Sequence, residues 1–577
     1  MTTHTSTPSL DTPAAGVRSA PVSPAQEQLW ALLQGNPGRP VGNLPVALNL
    51  EGPLDAGLLG RALNAVVGRH EILRTSFDFV DGRPVQIVAP SLNVPVPVID
   101  LRLLAPEVRE AQAFRLAREE AARVFDVRRL PLIRAQLFLF EHARHILVLT
   151  LHRSVFDRES LGLFLRELAA TYEAQRRGEA PDLPPLALQY SGYAANGCDP
   201  AARESALAWW NARLTGDPAV LQLPVDRPGA GKRGEQGRVE KLELPATLRN
   251  SVEILAHREG TNPFTIVLTA FQVLLHRYTG LTDFVMGLCI SDRHLPEAEN
   301  LLGPCARVVP FRTDLSGNPD FRTLVSRIRA GVLDLYAHTP RLSFGALSRP
   351  FANPAESCAV QFFHERKESE LVAWPGLRLQ ELELESGACP CELAFHLVEG
   401  VNGWTIRAEY DAGAFLPAGI QRLLAHFHVL LQAAVSRPSE PLCELPLLTS
   451  TERRRLLNEW NNTVVAYPRD ATAHELISNR AAAEPDSVAV VSGGSRLTYR
   501  QLDERSNQLG RHLRAAGVRP GHLVALCLAR SPELIIALVG ILKAGGAACL
   551  FDPALICDTF LRGVEGLVGA HAARRPA

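Results

Sequence analysis

Short apolar runs rich in β-branched and aromatic residues alternate along this chain with stretches where apolar residues return every three or four positions. The two patterns together predict a mixed α/β protein. A strand is expected around Val46–Leu50, followed by a helix whose Leu59, Leu63, Val66 and Val67 share one face. Leu132–Phe140 and His145–His152 are two β-prone runs separated by Glu141-His142-Ala143-Arg144, which reads as an antiparallel hairpin. Directly afterwards Leu161, Phe164, Leu165, Leu168 and Tyr172 recur at helical spacing behind the polar Arg158-Glu159-Ser160. The sequence HRSVFDR, residues 152–158, therefore lies on a strand-to-helix turn.

The Pro, Gly and charge cluster RPGAGKRGEQ, ending at Gln236, marks a boundary between lobes. Beyond it, Asn262-Pro263 opens an amphipathic helix carrying Val267, Ala270, Phe271, Leu274, Leu275 and Tyr278. Gly280 stops that helix, and a strand is expected near Asp283–Ile290. This lobe ends near Leu447. After the polar TSTERRRLLNEWNNT, strands (Val488–Val491, Leu523–Leu528) again alternate with helices (Leu502–Ala516, Pro532–Lys543), as in a parallel α/β unit. The expected organisation is a disordered tail at 1–20, lobes at 21–225 and 226–447, a linker at 448–475, an α/β piece at 476–553 and a divergent tail at 554–577.

Composition narrows the function. With 577 residues the chain exceeds one ordinary core, and 46% hydrophobic with 21% charged residues is a globular balance. Sixty Lys plus Arg against 61 Asp plus Glu leave a net charge of -1, so no overall field draws nucleic acid or an anionic membrane. The ten cysteines lack metal-ligand spacing; Cys389 and Cys391 are the one close pair, and reduced cytoplasmic thiols are the expectation. The Ser-, Thr- and Pro-rich N-terminus is no secretory signal. The most apolar stretch, Leu534–Leu550, is broken by Lys543 and Gly545-Gly546, short of the roughly 20 residues of a membrane span.

A series of segments then resembles, in order, the motifs of nonribosomal peptide synthetase condensation domains: SPAQEQLW (Ser23–Trp30), RHEILRTSF (Arg69–Phe77), LTLHRSVFDR at the HHxxxDG signature, YSGYA (Tyr190–Ala194), MGLCISDR (Met286–Arg293) and LGPCARVVPFR (Leu302–Arg312), the last with Arg307 where Asn is usual. The resemblance, over about Ser23–Leu447, implies two chloramphenicol-acetyltransferase-like lobes in a V with a tunnel between them. It also implies partners: acyl or peptidyl carrier proteins and other synthetase modules would bring phosphopantetheine-tethered thioesters, and no cofactor would be bound covalently to this chain.

The resemblance puts the catalytic second His of the signature at Arg153, its first His at His152, its Asp at Asp157 and its Gly at Arg158. An arginine stays protonated and has no acceptor, so general-base catalysis by residue 153 is excluded. A guanidinium could still favour a carboxylate or a tetrahedral oxyanion. His152 should point away from Arg153, because neighbours on a strand face opposite sides. The resemblance pairs Asp157 with Arg293; read from the residues alone, Asp157 is a helix cap. His70 is expected to be structural. His426 and His428, two apart on a helix, do not form a metal site.

LTYRQLDERSNQLGRHL (Leu497–Leu513) and LKAGGAACLFDP (Leu542–Pro553) resemble the first two core motifs of AMP-binding adenylation domains. The phosphate loop, amino-acid pocket and catalytic Lys of that family are missing from the sequence, which implies no ATP-dependent activation by this polypeptide. Three functions follow as expectations: a condensation enzyme working despite Arg153, a non-catalytic module recruiting carriers or enzymes, or a fragment of a degraded synthetase gene. The recruiting modules known in such synthetases also begin their signature His-Arg, but continue with two acidic residues where this chain has Asp157-Arg158.

Overall fold

The computed structural model describes residues 17–551, apart from 37, 81, 142, 198, 217–218, 228–236, 340–341, 348–353, 368–371, 385–386, 390 and 402. The C-terminal tail, most of the N-terminal one and most of the boundary ending at Gln236 fall outside the described residues. Two compact units emerge, Met1–Leu457 and Asn458–Ala577.

In the first unit, β1 (Arg18–Pro21) pairs with β4 (Arg83–Val88), which pairs with β3 (Thr75–Val80). Arg18, Ser19 and Ala20, expected within a disordered tail, instead gain a ladder along the β4 edge. The first lobe's main sheet runs β13-β2-β7-β6-β5. Its strands are β2 (Asn43–Glu51), β5 (Val98–Asp100), β6 (Ile133–Leu139), β7 (Arg144–His152) and β13 (Arg378–Leu382). Alternation decides its two faces. Val46, Leu48 and Leu50 with Leu147, Leu149 and Leu151 pack under the helices Ala56–Arg69 and Ser160–Arg177, whereas Ala47, Ile146 and Val148 face Ala113 and Ala117 of the helix Pro106–Ala122.

The edge strand β13 comes from the segment assigned by sequence to the second lobe. It pairs antiparallel with β2, Gln380 opposite Asn49, so the chain crosses back and residues 226–447 do not all build one lobe. Its sequence, RLQEL, is short and breaks the apolar-polar alternation at Gln380-Glu381, which concealed this crossing.

The second lobe's sheet runs β11-β10-β12-β14-β15-β9, with the short β8 (Ala219–Val220) beside β10. Here β9 is Gly237–Leu244, β10 Asp283–Ser291, β11 Ala306–Asp314, β12 Val360–Arg366, β14 Leu393–Gly400 and β15 Gly403–Asp411. The helices Pro263–Thr279 and Pro417–Ser436 cover it through a core that includes Phe271, Phe362, Phe395 and Phe427.

In the second unit, β18 (Leu523–Cys527) and β19 (Ala547–Phe551) are parallel and joined through the helix Pro532–Ala544, as expected. The pattern is not wholly parallel, however: β16 (Val488–Ser492) and β17 (Ser495–Thr498) form an antiparallel hairpin. Gly493 and Gly494, with φ of 54° and 86°, supply the two left-handed positions such a tight turn requires. Among the described residues no helix is long and apolar enough to cross a membrane.

Candidate functional site

The segments that carry the family resemblance meet in space. Ser23 caps the helix Pro24–Gly35 and its hydroxyl lies 2.7 Å from the Tyr190 hydroxyl, which donates to the Pro304 carbonyl at 2.7 Å. Gln26 donates to the Ser154 carbonyl at 3.0 Å. Gln28 binds β11 through both its amide atoms, donating to Val308 O at 2.7 Å and accepting from Val308 N at 2.9 Å. The first helix therefore ties the signature turn to the second lobe.

Beneath that turn, Asp157 is saturated. Its Oδ1 accepts from Arg293 Nη2 at 2.7 Å, Ser160 N at 2.9 Å and Ser160 Oγ at 2.6 Å; its Oδ2 accepts from Cys305 N at 2.8 Å and Ala306 N at 3.3 Å. Asp157 thus makes both contacts considered from sequence, the ion pair and the bond to the helix start. Burial would favour a neutral Arg293, but Asp157 and Glu159 outweigh it and raise its pKa. Arg307 is likewise buried, with Nη1 3.0 Å from Asp292 Oδ2, which also accepts from Tyr193 OH at 2.8 Å.

A cavity of about 670 Å³ opens in this unit between the signature turn and the second lobe's sheet. Arg153 lines it and His152 does not. The mechanism of that separation is more specific than strand alternation. Strand β7 ends at His152, opposite Asn43, and the chain then turns through Val155 N–H to His152 O at 2.9 Å. His152 is buried behind the strand against Phe125, and Ser154 N donates to its Nδ1 at 3.3 Å, with the Ser154 hydroxyl 2.7 Å away. A Cβ placed on Gly42 would lie 2.3 Å from His152 Nε2, so Gly42 packs directly against that nitrogen. Burial, reinforced by repulsion from Arg153 and Arg134, pushes the imidazole down to about 3. It is neutral, its one bare nitrogen is taken by Ser154, and it does not reach the cavity.

Sequence reasoning missed the opposite wall. His396 on β14 places Nδ1 2.7 Å from Glu365 of β12, Arg407 of β15 donates to Glu365 at 2.8 Å, and Glu409 lies 3.4 Å from Arg407 and 3.8 Å from His396 Nε2. All four line the cavity. Burial opposes ionisation of Glu365, yet Arg407 and His396 hold it well below the usual carboxylate range; Glu409 is lowered against burial by Arg407, His396 and Arg153. The available signal was every-other-residue spacing on β15, Arg407 and Glu409, but the strand's partner was not legible.

Arg158, at the signature's Gly position, forms an ion pair with Glu381 of β13, and Lys241 of β9 forms one with Glu383 just beyond it. The crossing strand is thereby tied from both lobes at the cavity's edge. Two of the histidines set aside from sequence are engaged elsewhere: His70 Nε2 lies 2.6 Å from Glu167, and His426 lies 2.7 Å from Tyr278 OH and 3.0 Å from Glu452. Cys389 and Cys391 are buried free thiols, and among the described residues no cluster could hold a metal ion.

The model of the condensation-domain family matches residues 17–457. The chain belongs to that family. A second match, to the AMP-binding enzyme family, covers residues 477–558, so a condensation domain is followed by a short AMP-binding segment. A linear gramicidin synthase polypeptide of Brevibacillus parabrevis is 37% identical over 92% of this chain and 10% of its own length. Phosphinothricin tripeptide synthetase PhsB of Streptomyces viridochromogenes is 34% identical over 95% of this chain and 47% of its own. The condensation chain thus spans less than half of these nonribosomal peptide synthetases. Among solved structures, the X-domain in complex with OxyB from teicoplanin biosynthesis superimposes with a TM-score of 0.65 at 26% identity, covering 77% of this chain and 99% of that one. A four-domain nonribosomal peptide synthetase bound to AMP and glycine shares the fold, with a TM-score of 0.75 at 18% identity over 96% of this chain and 43% of that one.

Proposed function

We propose that this chain is a condensation-fold module of a nonribosomal peptide synthetase that receives carrier-tethered thioesters without joining them. In that role it positions a carrier or a tailoring enzyme rather than catalysing amide formation. One observation carries the reading: the side chain lining the cavity at the signature turn is Arg153, which has no acceptor, while the adjacent His152 is buried and does not line it. The Asp157–Arg293 pair and the Ser23–Tyr190–Pro304 chain keep the fold. Phosphopantetheine enters as the tether of a partner carrier's substrate. The X-domain crystallised with OxyB supports recruitment as a use for such a fold, although Asp157-Arg158 departs from the acidic pair of that signature.

A second reading, condensation with Arg153 as an oxyanion donor, is favoured by Arg153 lining the cavity while its side chain makes no hydrogen bond or ion pair among the described residues. One assay separates the two: acyl- and aminoacyl-loaded carrier proteins are mixed with the whole chain and dipeptidyl product is measured by mass spectrometry. The module reading expects carrier binding and no product above the rate without protein, with product recovered by Arg153→His. Product from the unaltered chain overturns it, and loss of that product in His396→Gln would locate the base on the opposite wall.

A further inference from the structure

The unexplained feature of the cavity is a bare cation. The Nε atoms of Arg153, Arg293, Arg307 and Arg407 are all buried without a hydrogen bond. The last three anchor their terminal nitrogens on Asp157, Asp292 and Glu365 respectively. Arg153 differs: among the described residues its side chain makes no hydrogen bond and no ion pair, and only its backbone N–H is bound, to Gly42 O at 2.7 Å. Arg153 also lines the cavity, so a guanidinium that no protein acceptor engages meets whatever occupies that space.

The surroundings fix what that can be. The carboxylates of the facing wall, of which Glu409 feels Arg153's field, are already engaged by Arg407 and His396. Arg153 and Arg407 stand against Glu365 and Glu409, two cations facing two carboxylates. A single negative charge is accommodated there, while a dianion faces two ionised carboxylates on the same wall. An ammonium group would be repelled by the unpaired guanidinium of Arg153.

We propose that the cavity binds a carboxylate through a paired contact with the Arg153 guanidinium, whose planar fork matches that anion. Resting on the module reading, this names the ligand class of the same site: an acyl or peptidyl group bearing a free carboxylate. That carboxylate comes either from an acidic side chain on a carrier-tethered thioester or from a released acid. The thioester carbonyl itself carries no such charge.

Titration calorimetry on the whole chain tests it with four probes: the pantetheine thioesters of N-acetyl-glutamate (through the α-carboxyl) and N-acetyl-glutamine, and free N-octanoyl-glycine with its primary amide. The acid is expected to bind on the order of tenfold to a hundredfold more tightly than its amide in at least one pair. A preference in the thioester pair indicates a side-chain carboxylate; one in the glycine pair alone indicates a released acid. Arg153→Gln is expected to bring the ratio to about one with an unchanged melting curve, and Arg153→Lys to keep part of it. Equal affinity of acid and amide in both pairs, no detectable binding of any probe, or a ratio that survives Arg153→Gln overturns the proposal. A carrier protein loaded with the glutaminyl thioester is titrated in parallel: if it fails to bind while the acid preference stands, the module reading fails and the carboxylate site does not.

Discussion

Replacing Asp157 should be the most damaging single change near the cavity, and its magnitude can be worked from the contacts. In Asp157→Ala, five hydrogen bonds vanish, the Cys305 N–H is left buried without an acceptor, and Arg293 loses its 2.7 Å carboxylate. Removing one partner of a buried ion pair costs about 3–5 kcal/mol. Glu159 stays 3.2 Å from Arg293 Nε and Gly303 O 2.9 Å from Nη2, which offsets part of the loss. A destabilisation of about 3–4 kcal/mol is expected. Asp157→Asn keeps the shape but sets an NH2 group against either Arg293 or the Cys305 and Ala306 N–H donors, for about 2–3 kcal/mol.

Urea unfolding followed by tryptophan fluorescence reads this out, because every tryptophan except Trp460 lies in the first unit. A cycle with Arg293→Met isolates the pair, with an expected coupling of about 2 kcal/mol. Destabilisation below about 1 kcal/mol for Asp157→Ala, or a coupling near zero, would refute the view that this pair joins the turn to the second lobe.

Three further outcomes are expected. His152 titrates near 3 when folded and near 6.5 when unfolded, so it favours unfolding as pH falls below 6.5. The loss from this residue is about 2 kcal/mol between pH 7 and 5, fully developed only below the folded value, and unfolding curves of His152→Gln should lack that component; identical slopes would contradict the burial argument. Gly42→Ala drives a methyl into His152 Nε2 and should destabilise by about 1–3 kcal/mol in the same urea assay, whereas a neutral effect would mean the imidazole is free to move. Arg158→Gln removes a partly exposed ion pair and should cost about 0.5–1 kcal/mol while speeding hydrogen exchange across Arg378–Leu382; unchanged exchange would show that Glu381 does not hold the crossing strand.

Local patterns were readable where one element decided the outcome. The hairpin before the signature, the helix after it and the helix opened by Asn262-Pro263 follow from periodicity, because each buries one face against its own neighbours. Features that depend on distant pairing were not. Strand β13 is placed by its ladder with β2, far away along the chain, and no local signal specifies it. The His396–Glu365–Arg407–Glu409 wall needs three strands in register before its members meet. His152 was expected to turn from Arg153 by strand alternation; in the structure the strand stops between them, and Ser154 and Gly42 complete the separation.

The turn combines two demands that are physically separable. Asp157 is held by five hydrogen bonds from two parts of the chain, so almost any change there is felt by the fold. The side chain at 153 makes no hydrogen bond or ion pair among the described residues and leaves a buried donor unmet, so the folded state gains little from it. A chemically drastic replacement at 153 can therefore arise without loss of structure, whereas one at 157 cannot. The expectation is that Arg153→His and Arg153→Gln destabilise the fold by no more than about 0.5 kcal/mol, even as they change what the cavity binds. A destabilisation of Arg153→Gln comparable to that of Asp157→Asn would show that the guanidinium serves the fold, and would remove the reason for assigning it a ligand.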